Sequence, residues 1–206
     1  MGDDQPGAPV PAVAVSSASK SDLRRRFRQR RLQALPGVEA AIQANARRHL
    51  APLVPADAFL GLYWPLAGEA DLRRLGGSLA DRLALPAIEG GSPDQARMVY
   101  RPWQTDRPLR PDGCGIPAPE PGEGDEPPLG PERMALLLAP SLACDDGGIR
   151  LGYGGGWFDR LRADPAWAAV PTLAVLPSAC RLPALPRDPW DIPLQGWLDE
   201  TGLHWF

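Results

Sequence analysis

The residues best suited to chemistry in this chain form one block, Arg150-Leu151-Gly152-Tyr153-Gly154-Gly155-Gly156-Trp157-Phe158-Asp159-Arg160. Four glycines in five positions leave backbone N–H groups uncovered by side chains, and a helix is expected to begin at about Trp157. Amides converging ahead of a helix N-terminus hold phosphate, because unsatisfied N–H groups there carry partial positive charge. The flanking Arg150 can bind phosphate oxygens, and Asp159 can hold a divalent metal that bridges them. The block lacks the Gly-Lys-Ser/Thr ending of a Walker A loop and is not a G-x-G-x-x-G motif following an early strand. On glycine content alone, a flexible turn fits it as well as a phosphate loop does.

Three other clusters carry candidate chemistry. Lys20, Arg24, Arg25, Arg26, Arg28, Arg30 and Arg31 lie close together with a single acid, Asp22, among them. Lys20 and Arg24 are four apart, so on a helix they share a face and can clasp one polyanion. A solvated basic face and a nucleic-acid contact are the other two readings of that helix. Trp64-Pro65-Leu66-Ala67-Gly68-Glu69-Ala70-Asp71 follows an apolar run, and a carboxylate on the loop after a strand is where α/β sheets contact ligands. Glu69 or Asp71 could equally complement a helix N-terminus. Asp188-Pro189-Trp190-Asp191-Ile192-Pro193 supplies two acids, for a metal or for a plain acidic turn.

These residues need elements to place them. Residues 1–18 are rich in Pro, Ala, Gly and Ser without hydrophobic period, and are expected to be a disordered lead-in. Ser19-Lys20-Ser21-Asp22 has the form of a helix N-cap, followed by Leu23, Phe27 and Leu32 on one stripe. Pro36-Gly37 is expected to stop that helix, with a second from about Val38 to Leu50. Ala58 to Trp64 reads as a buried strand, Asp71 to Leu83 as a helix weakened by Gly76-Gly77, and Leu83 to Ile88 and Arg97 to Trp103 as strands. Thr105 to Pro131 reads as a long loop. Ala135 to Ala139 is the clearest buried strand, Asp145 to Gly148 a turn, and Thr172 to Leu176 and Trp197 to Glu200 further strands. Alternating strands and helices predict a layered α/β protein, with one domain over residues 19–206.

The whole composition sets limits. With 206 residues, 44% hydrophobic and 23% charged, the chain is neither fibrous nor wholly disordered. A net charge of −3 argues against a polycation working on nucleic acid. Lys20 is the one lysine among 22 basic residues, which makes it worth attention. Cys114, Cys144 and Cys180 form no C-x-x-C pair, so three thiols in a reducing cytoplasm are expected rather than a zinc site or disulfide framework. The longest apolar runs are too short to span a bilayer.

In this order, the segments resemble the 5-formyltetrahydrofolate cyclo-ligase family. The resemblance rests on Lys20-x-x-Leu23-Arg24, Tyr63-Trp64-Pro65-x-x-Gly68-Glu69-x-Asp71, Met98 to Trp103, Gly115-Ile116-Pro117-x-Pro119, the Arg150 to Arg160 block and Asp191-Ile192-Pro193. It implies a three-layer α/β/α sandwich around a mostly parallel sheet. It further implies closure of 5-formyltetrahydrofolate to 5,10-methenyltetrahydrofolate, with Mg²⁺ as cofactor and ATP converted to ADP and phosphate. Carried over residue by residue, Lys20, Ser21, Asp22, Leu23, Arg24 and Arg150 to Phe158 are the implied ATP contacts, with Lys20 and Arg150 catalytic. Trp64, Glu69 and Tyr153 to Trp157 are the implied folate contacts, and Asp159 and Asp191 the implied metal ligands. Phe158 stands where the family commonly has Tyr, Trp190 where it has His, and Gln195 where it has a second Asp. The resemblance points to small-molecule substrates, no nucleic-acid or membrane partner, and a monomer. A noncatalytic nucleotide- or folate-binding relative is the alternative, followed by a nucleic-acid binder using the arginine helix.

Overall fold

Runs such as Leu136-Leu137-Leu138-Ala139 carry no polar side chain on either face, so they require a sheet covered on both sides. The computed structural model describes residues 19–90, 92, 95–105, 107–120 and 127–206. The expected lead-in at 1–18 lies outside them. Helix α1 (Lys20–His49) precedes β1 (Phe59–Gly61), β2 (Leu83–Glu89), β3 (Arg97–Trp103), β4 (Leu109–Pro111), β5 (Pro117–Pro119) and β6 (Met134–Pro140). Then come β7 (Ala143–Asp145), β8 (Arg150–Leu151), α2 (Trp157–Arg162), α3 (Pro165–Ala168), β9 (Thr172–Val175), β10 (Arg181–Leu182), β11 (Gly196–Asp199) and β12 (Gly202–Trp205). The main sheet runs β12-β11-β9-β6-β1-β2-β3. Its inner pairs are parallel, while β3 and β12 close the two edges antiparallel.

Alternation along β6 divides the core. Leu137 and Ala139 pack with Phe158 and Leu161 of α2, whereas Leu136 and Leu138 pack with Ile42 and Ala46 of α1. A helix layer therefore covers each face, as expected for an α/β/α sandwich.

Two expected helices prove to be one. Ser19 caps α1 by accepting from the Asp22 N–H at 3.2 Å, and the helix continues through Pro36 to His49. Its buried stripe is Leu23, Phe27, Arg31, Leu35, Ile42 and Ala46, which runs unbroken past the proline. Pro36 and Gly37 are both exposed, so water can reach the carbonyl that the proline leaves without a donor. A mid-helix proline costs ~3 kcal/mol. Each fully buried large apolar side chain on the stripe offsets about 1.5–3 kcal/mol, so tertiary burial wins.

Two other expectations also change. Asp71 to Leu83 is not a helix: Gly76 and Gly77 take φ of 61° and 59°, and only a short 3-10 turn at Gly77–Leu79 forms. Buried Leu72, Leu75 and Leu79 imitate a helical stripe there. The expected loop from Thr105 to Pro131 contains the β4–β5 hairpin. Asp112 builds its turn, accepting from Cys114 N and Ile116 N through Oδ1 and from Ile88 N through Oδ2.

Candidate functional site

At the end of β6, Pro140 opens onto a cleft of about 360 Å³. Ligands of α/β sheets sit in this place, beyond the carboxyl ends of the parallel strands. The cleft is lined by Lys20 and Arg24 from the first turns of α1, by Trp64 and Glu69 from the loop after β1, by residues 150–159, and by Asp188 and Asp191. The four separated clusters of the sequence thus meet at one site.

Arg150 is positioned by the β7–β8 hairpin. Asp145 Oδ1 accepts from Gly147 N and Ile149 N to form the turn, and its Oδ2 accepts from Leu185 N. The Arg150 guanidinium lies over the Phe158 ring at 4.9 Å and donates to Asp159 Oδ1 at 3.3 Å. Between them the loop turns through Gly154 and Gly156, at φ of 104° and 64°. Side chains other than glycine rarely adopt such angles. Arg24 Nε donates to the Gly152 carbonyl at 3.1 Å, which ties α1 to the loop. Helix α2 is only six residues long. Little macrodipole stands behind the loop, and anion affinity must come from its amides and the cations around it.

Lys20 Nζ donates to Asp188 Oδ2 and to Asp191 Oδ2, at 2.6 Å each. Partial burial pulls its pKa down, but the two carboxylates together outweigh that and hold it above its ordinary value. Asp191 Oδ2 also accepts from the Asp188 N–H at 2.7 Å. Arg162 of α2 fastens the same segment by donating to the carbonyls of Ile192 and Pro193, at 3.0 and 3.1 Å. Leu194 N binds Gly148 O at 2.9 Å, so the acidic turn and the Arg150 hairpin are braced against each other.

Glu69 occupies the other end of the cleft. A turn places it: Glu69 N bonds Leu66 O, and Glu69 Oε2 accepts from Leu66 N at 2.8 Å. Gly68, at φ 80°, lets α1 approach, since a Cβ there would sit 2.8 Å from Leu32 Cδ2. Arg31 Nη1 lies 3.7 Å from Glu69 Oε1, and both side chains are only 2% exposed. The Arg31 guanidinium stacks 5.1 Å from the centre of the Tyr153 ring and donates to Ala67 O. Burial raises the Glu69 pKa, while the Leu66 N–H, the Tyr153 hydroxyl and Arg31 pull the other way. Burial likewise pushes the Tyr153 hydroxyl up. Glu69 Oε1, Tyr153 Oη and Arg31 Nε and Nη1 face one another here, buried and without a hydrogen bond of ordinary length. Such orphans are rare in folded proteins and suit a site that receives a polar ligand.

Among the sequence candidates, Lys20, Trp64, Glu69, Arg24, Asp191 and every residue from Arg150 to Asp159 line the cleft. Three neighbours do not. Ser21 is exposed, Asp22 is turned to Ser19 and Arg25, and Leu23 is a core residue at 1% exposure. The basic helix is not one surface either, since Arg24 lines the cleft, Arg31 is buried and Arg25 faces solvent. Two residues escaped the sequence reading. Arg31 looked like one more member of the basic run, although its place four residues after Phe27 and four before Leu35 puts it on the buried stripe. Asp188 was seen only as half of an acidic turn, and its bond to Lys20 spans 168 positions.

A mostly parallel sheet with polar groups gathered beyond its strand ends is the build of an α/β enzyme. Residues 16–198 match the model of the 5-formyltetrahydrofolate cyclo-ligase family, and the chain belongs to that family and is an enzyme of that class. The NMR structure of a 5,10-methenyltetrahydrofolate synthetase from Aquifex aeolicus is 27% identical, with a TM-score of 0.68 over 90% of this chain and 92% of that one. A 5,10-methenyltetrahydrofolate synthetase from Mycoplasma pneumoniae, 17% identical, shares the fold with a TM-score of 0.66 over 89% of this chain and 99% of its own. No curated protein sequence matches the chain.

Proposed function

We propose that this cleft closes the formyl group of 5-formyltetrahydrofolate onto N10 at the expense of ATP, giving 5,10-methenyltetrahydrofolate, ADP and phosphate. The observation that carries the residue assignment is the meeting, in one cleft, of a cation-flanked glycine loop and a buried carboxylate held by aromatic walls. A formamide oxygen is a poor leaving group. Transfer of the γ-phosphoryl group to that oxygen converts it to phosphate, N10 attacks the activated carbon, and the C–O bond breaks as phosphate departs. The glycine-loop amides, Arg24 and Arg150 bind the phosphates. Lys20 neutralises charge that develops on the transferred group. Trp64 and the Tyr153 to Trp157 stretch enclose the pterin, and Glu69 orients its polar edge, where the orphaned polar atoms lie.

Magnesium fits the donor set. Among the described residues no group of three or more His, Cys, Asp or Glu converges. However, Asp159 and Asp191 each leave one carboxylate oxygen without a hydrogen-bond or ion-pair partner there. Mg²⁺ is commonly held by one or two carboxylates with phosphates and water completing its octahedron. Bound there, it would screen the negative charge of the triphosphate. Three free thiols, two of them buried, support a reducing, cytoplasmic setting. The working form is a monomer acting on small molecules, without nucleic acid.

The test is direct: purified protein, MgATP and 5-formyltetrahydrofolate, with methenyl formation followed by absorbance. Steady turnover that requires both ATP and Mg²⁺ is expected. Asp159→Asn separates the metal role from a structural one, because an amide oxygen can still accept from Arg150. A folded variant slowed by orders of magnitude, partly recovered at high Mg²⁺, is expected. Near-normal turnover at low millimolar Mg²⁺ would remove Asp159 from the metal site.

A further inference from the structure

Arg31 is the one charged residue on the buried stripe of α1. A guanidinium is costly to bury unless it is paired, so its neighbours must show what it is for. Nη2 donates to the Ala67 carbonyl at 3.3 Å, which fastens α1 to the loop that carries Glu69. Nη1 stands 3.7 Å from Glu69 Oε1, and Nε makes no hydrogen bond of ordinary length. Glu69 Oε2 already accepts from Leu66 N, so Oε1 is the oxygen left for a ligand, and it is the one that Arg31 faces. Other ionisable groups nearby cannot replace this cation. Tyr153 on the glycine loop and Tyr63 after β1 are phenols kept neutral by burial, and the Tyr63 hydroxyl donates to Ala70 O at 2.8 Å. Asp71, two residues on, is an acid gripped by Arg73. Arg28, also on α1, is exposed and lies 5.9 Å from the centre of the Tyr153 ring. Among the described residues Arg31 is thus the one cation in ion-pair reach of Glu69.

Resting on the folate reading of the cleft, we propose that Arg31 is a positioning residue of the pterin site, which fixes Glu69 as an anion with Oε1 presented to the substrate. Arg31 itself does not line the cleft, so it acts through Glu69 and not by contact. The amino-pyrimidine edge of a pterin carries adjacent N–H donors, and an ionised carboxylate accepts from them more strongly than a protonated one. Burial favours the protonated form of Glu69, and Arg31 is the cation that pulls the other way.

A double-mutant cycle read as a pH profile tests this. Arg31→Met keeps the apolar bulk and removes the charge. Its kcat/KM for 5-formyltetrahydrofolate at neutral pH should fall by about 10-fold or more. Its acid limb should also move to higher pH, because the carboxylate has lost its cation. Arg31→Lys, which keeps the charge without the fork, should hold the limb nearer its wild-type place. In a Glu69→Gln background, Arg31→Met should cost no more than about 2-fold, since the partner is already gone. An equal loss in both backgrounds, or an acid limb unmoved in Arg31→Met, marks plain structural support and overturns the proposal. Folding is informative too. If Arg31→Met unfolds while the double variant folds, the stranded carboxylate is the cause and the pairing is supported; if both unfold, the proposal is overturned. Infrared titration of the substrate-free protein follows the same carboxyl without turnover, with Glu69→Gln identifying its band. If methenyl formation is absent but Arg31→Met still raises that titration, the folate reading fails and the control of Glu69 by Arg31 stands.

Discussion

Lys20 reaches two carboxylates at once from the first turn of α1, and the geometry uses the properties of an ammonium: a compact charge with three donors on a flexible stem. A planar guanidinium cannot reproduce those two bonds, so Lys20→Arg is expected to impair turnover even in a chain rich in arginine. Lys20→Ala and Arg150→Ala should each lower kcat/KM for ATP by about 10-fold or more, the value of a charged hydrogen bond. The KM for folate should change far less. Steady-state kinetics with each substrate varied in turn will decide, and unchanged ATP parameters in both variants would end the phosphate assignment. Glu69 makes a forecast about pH. Burial is the largest influence on its carboxyl and raises the pKa above the ordinary 4.5. As pH falls, Glu69 therefore loses its charge earlier than a solvated glutamate. The acid limb of kcat/KM for folate should lie above 4.5 and should vanish in Glu69→Gln. Linkage has the same sign: the folded state holds that proton more tightly than the unfolded chain. Protonated Glu69 thus favours the fold, and stability from this group declines as pH rises from 4.5 through the raised pKa.

At the scale of elements, α1 shows how burial overrules local propensity. Replacing Pro36 by alanine restores a backbone donor in a helix that exists already. Pro36→Ala should stabilise the protein by about 1–3 kcal/mol. A chain of this size gains about 2–4 °C in melting temperature per kcal/mol, so thermal unfolding will register the change. A lower melting temperature would mean that the proline is favoured in this helix for a reason the packing does not reveal. The same helix marks the boundary of what the sequence makes legible. Strands 83–88 and 97–103 were readable because period and composition agree with burial. The helix stop at Pro36 and the helix after Asp71 were misread because a local signal opposed a tertiary one. Strands β7, β8 and β10 are only two or three residues long, too short for any period to show. The glycine loop and Glu69 were legible by residue type. Arg31 and Asp188 were not, because their roles depend on partners distant in the chain: Arg31 meets Glu69 across a packed helix, and Asp188 meets Lys20 across nearly the whole chain.

Considered as a whole molecule, the protein gathers its site from both termini of the sheet-forming chain. The start of α1 and the turn before β11 meet over the hairpin that carries Arg150. Lys20 is thereby neutralised in advance by Asp188 and Asp191, and the resting cleft contains its own counterions. On the proposed reading, a triphosphate arriving there does not fall into a bare positive well; it should take Lys20 away from its present partners. The two carboxylates released by that exchange should then face the phosphates and require a new cation. Nucleotide and magnesium should consequently recruit each other, each tightening the other's binding by the same factor, as thermodynamic reciprocity demands. Titration calorimetry of ATP with and without Mg²⁺, and of Mg²⁺ with and without a nonhydrolysable ATP analogue, measures both factors. In Asp188→Asn, Asp191→Asn protein the mutual gain should shrink toward that of the free ion and nucleotide in water, and if it stays intact Lys20 never changes partners.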